Sequence, residues 1–379
     1  MSSFAIERVE KNSLDLGLVI ALLLLVGVGV SVLFSSSFYR AGFLFSDPLY
    51  FLRRQLLWVF LGGGAAVLLA HVSLSILRRL IPIALLVTAG LMVLTFVPGV
   101  GSMFLGARRW IILFGFSFQP SELVKAVTPL YLAYILSRKH EQLDDAVNAL
   151  LPPVIVVAVF ATLIYLQNDF SMAFFLVFVS LAMLFVAGVP LRYFIALGVM
   201  TAPLSVILLL TRAHRVNRIV AFLDPNLDPG GTGYQVLASR TALAQGGLWG
   251  AGIGQGMQKF GALPEAHSDF VFAILAEELG FVGVFLVVLL FAFFAYRGFR
   301  IAYLAKDRFV SLLAFGITAS ITFQALLNMA VVSGLVPATG VPLPFFASGG
   351  SSMFVSLAMC GLLVNLSRRL EYAEEPFDG

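Results

Sequence analysis

Residues 16–34 read LGLVIALLLLVGVGVSVLF, a run without a single charged side chain. A helix needs about 20 mostly apolar residues to cross the hydrocarbon core of a bilayer, and this run has that length. It is continuous rather than alternating, so it reads as a helix and not as a strand of a membrane barrel. It is too long for the apolar core of a signal peptide, and no small-residue cleavage site follows it, so a retained anchor is expected. The pattern recurs along the chain. Counting this first span as 14–34, others lie near 56–73, 81–98, 121–137, 152–167, 171–189, 193–211, 270–295, 309–332 and 350–367. The expected fold is an all-α polytopic membrane protein of about ten transmembrane helices, with a large extracytoplasmic loop, 212–268, between spans seven and eight.

The composition agrees. Of 379 residues, 60% are hydrophobic and 12% charged, against about 25% charged in a soluble domain. This excludes a disordered chain, a coiled coil and a cytosolic enzyme. The single cysteine, Cys360, lies in an apolar run and rules out a disulfide scaffold or a cysteine-ligated metal.

Ten spans place both termini on one side, and basic residues in short loops say which. With the termini cytoplasmic, the inner set holds Arg8, Lys11, Arg78, Arg79, Arg138, Lys139, Arg192, Arg297, Arg300, Lys306, Arg308, Arg368 and Arg369, more than half of the 24 basic residues. Arg40, Arg53, Arg54, Arg108 and Arg109 fall in outer loops, where an anionic ligand would explain them. Residues 1–13 and 368–379 read as cytoplasmic tails, and 14–367 as one transmembrane domain. No internal repeat suggests the inverted halves of a transporter.

With so few charges, an ionisable side chain at membrane depth is a candidate functional residue. Gly106-Ala107-Arg108-Arg109-Trp110-Ile111 is followed by Gln119-Pro120-Ser121-Glu122-Leu123-Val124-Lys125. Pro120 suits the first turn of a helix, which puts Glu122 and Lys125 at i and i+3, able to pair. Arg108 and Trp110 read more simply as interfacial anchors. Gln167-Asn168-Asp169 places an acid in a short outer turn, as easily hydrated as functional.

The long loop opens with His214-Arg215-Val216-Asn217-Arg218 and continues through Gly233-Tyr234-Gln235 to a glycine-rich run, Gly246 to Gly256, before Lys259. The run is no dinucleotide fingerprint, because the GxGxxG spacing and the preceding strand are both missing. Its glycines let the backbone turn sharply or approach something closely. An amide-rich loop beside arginines would also suit a phosphate. Leu263-Pro264-Glu265-Ala266-His267-Ser268-Asp269-Phe270 then runs into span eight. Asp269 is an even match for an N-cap and for a catalytic group. Glu277 and Glu278 lie two turns deeper, and two adjacent glutamates inside a membrane helix suggest that at least one lines a cavity. Gln324 and Asn328 form an i,i+4 polar pair that would serve as interhelical glue. The Pro-rich stretch 334–344, with Ser348-Gly349-Gly350-Ser351-Ser352 as hinge, reads as a re-entrant or plugging segment.

In this order, these segments resemble the SEDS family of bacterial cell-envelope proteins, which includes FtsW, RodA and a spore-cortex paralogue. The family patterns G-A-x-R-W-I, Q-P-S-E-x-x-K, Y-Q with a glycine-rich run, L-P-E-x-H-x-D-F, E-E-L-G and P-x-x-G-x-P-L-P-F stand here at 106–111, 119–125, 234–256, 263–270, 277–280 and 337–345. The 263–280 stretch is slightly closer to FtsW. The chain departs from the family at Asn168 and Phe170-Ser171-Met172, at Ser117, and at Phe346-Ala347-Ser348.

The resemblance implies an inverting peptidoglycan glycosyltransferase that polymerises lipid II, an undecaprenyl-diphosphate-linked donor, on the outer face of the cytoplasmic membrane. It implies a class B penicillin-binding protein as crosslinking partner, alongside other division or elongation proteins, and Asp269 as the catalytic residue. Substrate-binding candidates are Arg109, Trp110, Glu122, Lys125, Asp169, Arg215, Arg218, Gln235, Lys259, Glu265, His267, Glu277, Glu278 and Ser351. Asp269 would deprotonate the acceptor hydroxyl, while cations, among them a divalent ion such as Mg or Mn, would stabilise the departing diphosphate. No organic cofactor is expected. Two alternatives share the same polar features: a lipid II flippase, which would move the precursor without lengthening glycan, and an O-antigen-ligase-like transferase. A pure scaffold would leave the buried carboxylates unexplained.

Overall fold

The computed structural model describes residues 14–104, 107–113, 116–227, 231–260 and 267–370. Ten long helices coincide with the ten expected spans: α1 (Leu16–Phe45), α2 (Tyr50–His71), α3 (Leu74–Leu94), α4 (Pro120–Arg138), α5 (Leu151–Leu166), α6 (Phe170–Val186), α7 (Leu191–Leu210), α10 (Val271–Leu304), α11 (Arg308–Val332) and α12 (Gly350–Ser367). Among the described residues, 8 helices are long and apolar enough to cross a membrane. The α6 helix is shorter, at 17 residues, and α4 carries Glu122, Lys125 and Arg138 within its length. The loop between α7 and α10 is folded, with α8 (Ala213–Leu223) and α9 (Thr232–Gly246).

The sequence reading contained no strands. The segment between α3 and α4 forms a small antiparallel sheet, β1 (Gly101–Phe104), β2 (Ala107–Leu113) and β3 (Phe116–Phe118), in the order β1-β2-β3. Side chains alternate across a strand, which separates two adjacent arginines. Arg108 donates back to the Phe96 carbonyl at 3.3 Å, whereas Arg109 reaches the turn between α5 and α6.

The loops sort to two ends of the bundle. At one end Arg78 meets Asp307 at 2.5 Å, Arg192 meets Asp144 at 3.3 Å, and Arg308 donates to the Ala187 carbonyl. There Asp15 caps α1 through the Leu18 amide and pairs with Arg297 at 2.7 Å. These are the loops whose basic residues were assigned to one side. The sheet, the α5–α6 turn, the α7–α10 loop and the α11–α12 loop gather at the other end. From Asp15 to Ser35, where α1 meets Glu278, the helix rises about 30 Å, close to the thickness of a hydrocarbon core.

Between helices in lipid, close van der Waals packing replaces the hydrophobic drive available in water. Small residues permit it. A Cβ on Gly361 of α12 would lie 2.3 Å from the Ala66 carbonyl oxygen of α2, so only glycine allows these helices to touch there. The most enclosed parts are α11 and α12, whereas α7 buries none of its most apolar window. The bundle centre therefore lies around α4, α10, α11 and α12, and the polar clusters described next surround it.

Candidate active site

Asp269 sits in the turn just before α10. The cap position of that helix falls on Phe270, one residue after Asp269. Its carboxylate accepts from Ser268 Oγ at 3.1 Å and faces the α11–α12 loop. A Cβ placed on Gly340 would lie 3.5 Å from Asp269 Oδ2. The Asp269 carbonyl is held by Asn328 Nδ2 at 2.9 Å, and the same amide nitrogen also donates to the Val341 carbonyl at 2.9 Å. Four residues earlier on α11, Gln324 donates to Pro342 O at 2.8 Å and accepts from Lys125 Nζ at 2.8 Å. The polar pair read as interhelical glue therefore fixes the Pro-rich loop and the backbone of Asp269.

That loop plugs the bundle, as expected. Val341, Leu343, Phe345 and Phe346 are buried. Its far end is tied by Gln55 Nε2 to Ala347 O at 3.2 Å and by Ser348 N to His267 O at 2.8 Å. His267 is buried, with its ring 4.7 Å from that of Phe51. Ser351 accepts from the Gln119 amide at 2.9 Å, joining the start of α12 to the start of α4.

A second acid lies nearby. Asp169 pairs with Arg109 at 3.1 Å and caps α6 through the Met172 amide. Arg109 also donates to the carbonyls of Gln167 (3.0 Å) and Asn168 (2.6 Å), clamping the α5–α6 turn. Burial pushes the Asp169 carboxyl above its usual range, against the pull of Arg109. Arg218 of α8 donates to the Ala338 carbonyl at 3.2 Å. Burial lowers its guanidinium, while Asp269 and then Asp169 hold it charged. Arg218 thus lies within electrostatic range of both acids. Glu122 and Lys125 pair at 2.5 Å beneath them, both buried.

The remaining candidates lie elsewhere. Arg215 donates to Tyr165 Oη (3.1 Å) and Leu208 O (2.6 Å) and stacks on the rings of Tyr165 and Phe170, so it braces α8 rather than facing Asp269. Trp110 is half-buried in β2, its carbonyl accepting from Ser102 Oγ. Gln235 is half-buried on α9. Glu265 lies outside the described residues.

Glu277 and Glu278 are 1% and 3% exposed, so neither lines an open cavity. Glu277 accepts from the amides of Met257 (2.6 Å) and Gln258 (3.2 Å). Glu278 meets Lys259 at 2.6 Å. The glycine-rich run makes the close approach its composition suggested, but its Ala251 and Gly252 amides donate to the carbonyls of Glu277 and Glu278. Those amides are spent on the protein, not offered to a phosphate. Among the described residues, no three His, Cys, Asp or Glu side chains are grouped to hold a metal.

The chain matches the FTSW_RODA_SPOVE family model, described as "Cell cycle protein", over residues 16–372. It is 39% identical over 370 residues to the probable peptidoglycan glycosyltransferase FtsW of Geobacter sp. (strain M18), covering 97% of this chain and 100% of that protein. Stage V sporulation protein E of Bacillus subtilis (strain 168) is also 39% identical, over 363 residues, with 96% and 99% covered. Among solved structures, a chain from a study of polymerization and crosslinking by a peptidoglycan synthase complex superposes with a TM-score of 0.77. It is 31% identical, covering 94% of this chain and 98% of that one. The chain belongs to the FtsW/RodA/SpoVE family and is a multi-pass membrane protein.

Proposed function

We propose that this member of the FtsW/RodA/SpoVE family is a peptidoglycan glycosyltransferase that polymerises lipid II at the outer face of the cytoplasmic membrane, with both termini cytoplasmic. The observation that carries the reading is the position of Asp269. Its carboxylate accepts from Ser268 and faces the α11–α12 loop, and its backbone is fixed by Asn328. A general base must be held within hydrogen-bond reach of the proton it takes, and this carboxylate is held at the mouth of a helix, beside a buried plug.

In the reaction, Asp269 accepts the proton of the acceptor sugar hydroxyl. The hydroxyl oxygen forms the new bond to the anomeric carbon of the donor, and the bond from that carbon to the diphosphate breaks. The diphosphate leaves with the electron pair, and a single displacement inverts the centre. The leaving group needs charge stabilisation more than protonation. Arg218, within electrostatic range of Asp269 and Asp169, can supply it, whereas Arg109, Lys125 and Arg215 are committed to internal partners. The described residues form no cage for a resident divalent ion, so no step here runs through one. A divalent cation remains a proposal resting on the diphosphate, tested by chelation and by titration with Mg or Mn.

A crosslinking partner of the class B penicillin-binding type fits the structural relative, which belongs to a complex that couples polymerization and crosslinking. The test is lipid II polymerisation by the purified chain, with and without such a partner, beside Asp269→Asn matched for folding. Glycan ladders from the wild type and a loss of about 10²–10⁴-fold in the variant are expected. Lipid II movement across vesicles with no ladder, unaffected by the substitution, would replace this reading with a flippase.

A further inference from the structure

The α10 helix is broken. Gly280 has φ 64 and ψ −168, which separates a short arm, 271–279, from a long arm, 281–304. Only glycine suits this point, because a Cβ there would lie 2.3 Å from the Gly250 amide nitrogen. A break leaves carbonyls of the first arm and amides of the second without helical partners. The glycine-rich loop takes up both sets. Ala251 and Gly252 donate to the carbonyls of Glu277 (2.9 Å) and Glu278 (3.0 Å), and the Gly247 and Leu248 carbonyls accept from Phe281 (2.9 Å) and Val282 (3.2 Å).

Charge then locks the seam. Lys259 Nζ lies 2.6 Å from Glu278 Oε1 and 3.0 Å from Ser35 Oγ, and Ser35 donates to both Glu278 oxygens at 2.6 and 2.7 Å. All three are buried. The short arm begins two residues after Asp269, across the cap residue Phe270. Its first end is fixed by the Asn328 bond to the Asp269 carbonyl, and its far end by this charged seam. Removing one partner of a buried ion pair leaves an uncompensated charge, so its energetic weight lies in specifying geometry.

We infer that Lys259, Glu278 and Ser35 form a latch that positions the half-helix following the Asp269 turn. They are positioning residues for the transfer rather than contacts to the substrate. The inference rests on the proposed role of Asp269. With Glu278 3% exposed and Lys259 8%, a lipid-linked sugar does not reach them unless the seam opens. The seam spans α1, the outer loop and α10, so a shift of any one of these moves the carboxylate at the other end of the short arm.

The test compares Lys259→Met, Glu278→Gln, the two combined, and Lys259→Arg, against wild type and Asp269→Asn. Two readouts are needed: kcat and KM for lipid II polymerisation, and amide hydrogen exchange in detergent. A displacement of about 1 Å at a reacting group costs about 10²-fold. Each neutralising variant should therefore lose about that factor in kcat at unchanged KM. Exchange should rise in peptides from 247–260 and 271–282 while α12 stays protected. Lys259→Arg should track the wild type in both readouts, and the double variant should be no worse than either single.

A raised KM at wild-type kcat would overturn the latch in favour of direct substrate contact. Lost kcat with unchanged exchange would also overturn it, as would exchange rising throughout the protein. If the wild type makes no polymer but the local exchange contrast is present, the latch stands and the glycosyltransferase reading falls.

Discussion

Lys125→Met removes a buried cation while keeping the length of the side chain. The ammonium lies 2.5 Å from Glu122 Oε2 and donates to Gln324 Oε1 at 2.8 Å, and Glu122 and Lys125 are 5% and 4% exposed. Opposite charges 4 Å apart attract by about 4 kcal/mol at an effective dielectric of about 20. Breaking such a pair from one side costs about 3–5 kcal/mol, because the remaining charge is stranded. Native stabilities are about 5–15 kcal/mol, so the single variant should lose a large share of its stability. Glu122→Gln combined with Lys125→Met leaves two neutral side chains of similar size and should recover most of that loss.

The assay is a double-mutant cycle on the four proteins, with unfolding free energies from SDS titration in mixed micelles. A coupling of at least about 2 kcal/mol is expected from a buried pair of this kind. Additivity within about 0.5 kcal/mol would refute the reasoning, since that is how distant or solvated charges behave. The single variant also frees Gln324, which holds Pro342. Protease sensitivity in the 334–349 loop should therefore rise in Lys125→Met.

Arg109→Gln should destabilise more at pH 8 than at pH 5 in thermal melts. Asp169 already has its carboxyl raised by burial, so its contribution to stability is full below the unfolded value and is lost as pH rises through the folded one. Without Arg109 the ionised form has less support, and a pH-independent loss would contradict this. Gly280→Ala should abolish stable folding, because it combines a left-handed backbone with a 2.3 Å contact to Gly250 N. Gly63→Ala, with open space around the new methyl, should melt within a degree or two of wild type or slightly higher, since Gly→Ala in a helix gains about 0.4–1 kcal/mol. Ser351→Ala should cost about 1–3 kcal/mol, because it strands the Gln119 amide at the joint of β3 and α4. Ser351→Thr, which keeps the acceptor, should cost less if the joint accommodates the extra methyl.

The long helices were legible because membrane crossing depends on local hydropathy summed over one helix length. Their ends were less so: α1 runs on to Phe45 and α10 to Leu304, past the points where the apolar runs weaken. The three strands between α3 and α4 escaped because they are too short for a periodic signal, although the opposite destinations of Arg108 and Arg109 are the mark of one. Asp269, Asp169, Arg109 and the Glu122–Lys125 pair were flagged by the cost of charge in an apolar chain, and the catalytic role of Asp269 by the family resemblance alone. Arg215, Lys259, Glu277 and Glu278 were flagged by the same cost, but as substrate contacts, whereas the structure spends them on internal partners. Gln324 and Asn328 were noticed without their target. Ser35, which meets Glu278 across the bundle, carried no signal.

The sequence by itself therefore determined the solvent of this protein, the places of its long apolar helices and the short list of costly polar residues, since burial cost and helical length are properties of a segment. It did not determine which of those residues face each other. The Ser35–Glu278 bond joins residues far apart in the chain, and Asn328 reaches Asp269 from another helix. Only tertiary structure decided which amide, hydroxyl or lysine meets each carboxylate, because an ionised group takes its energy from whatever packing brings within a few ångströms.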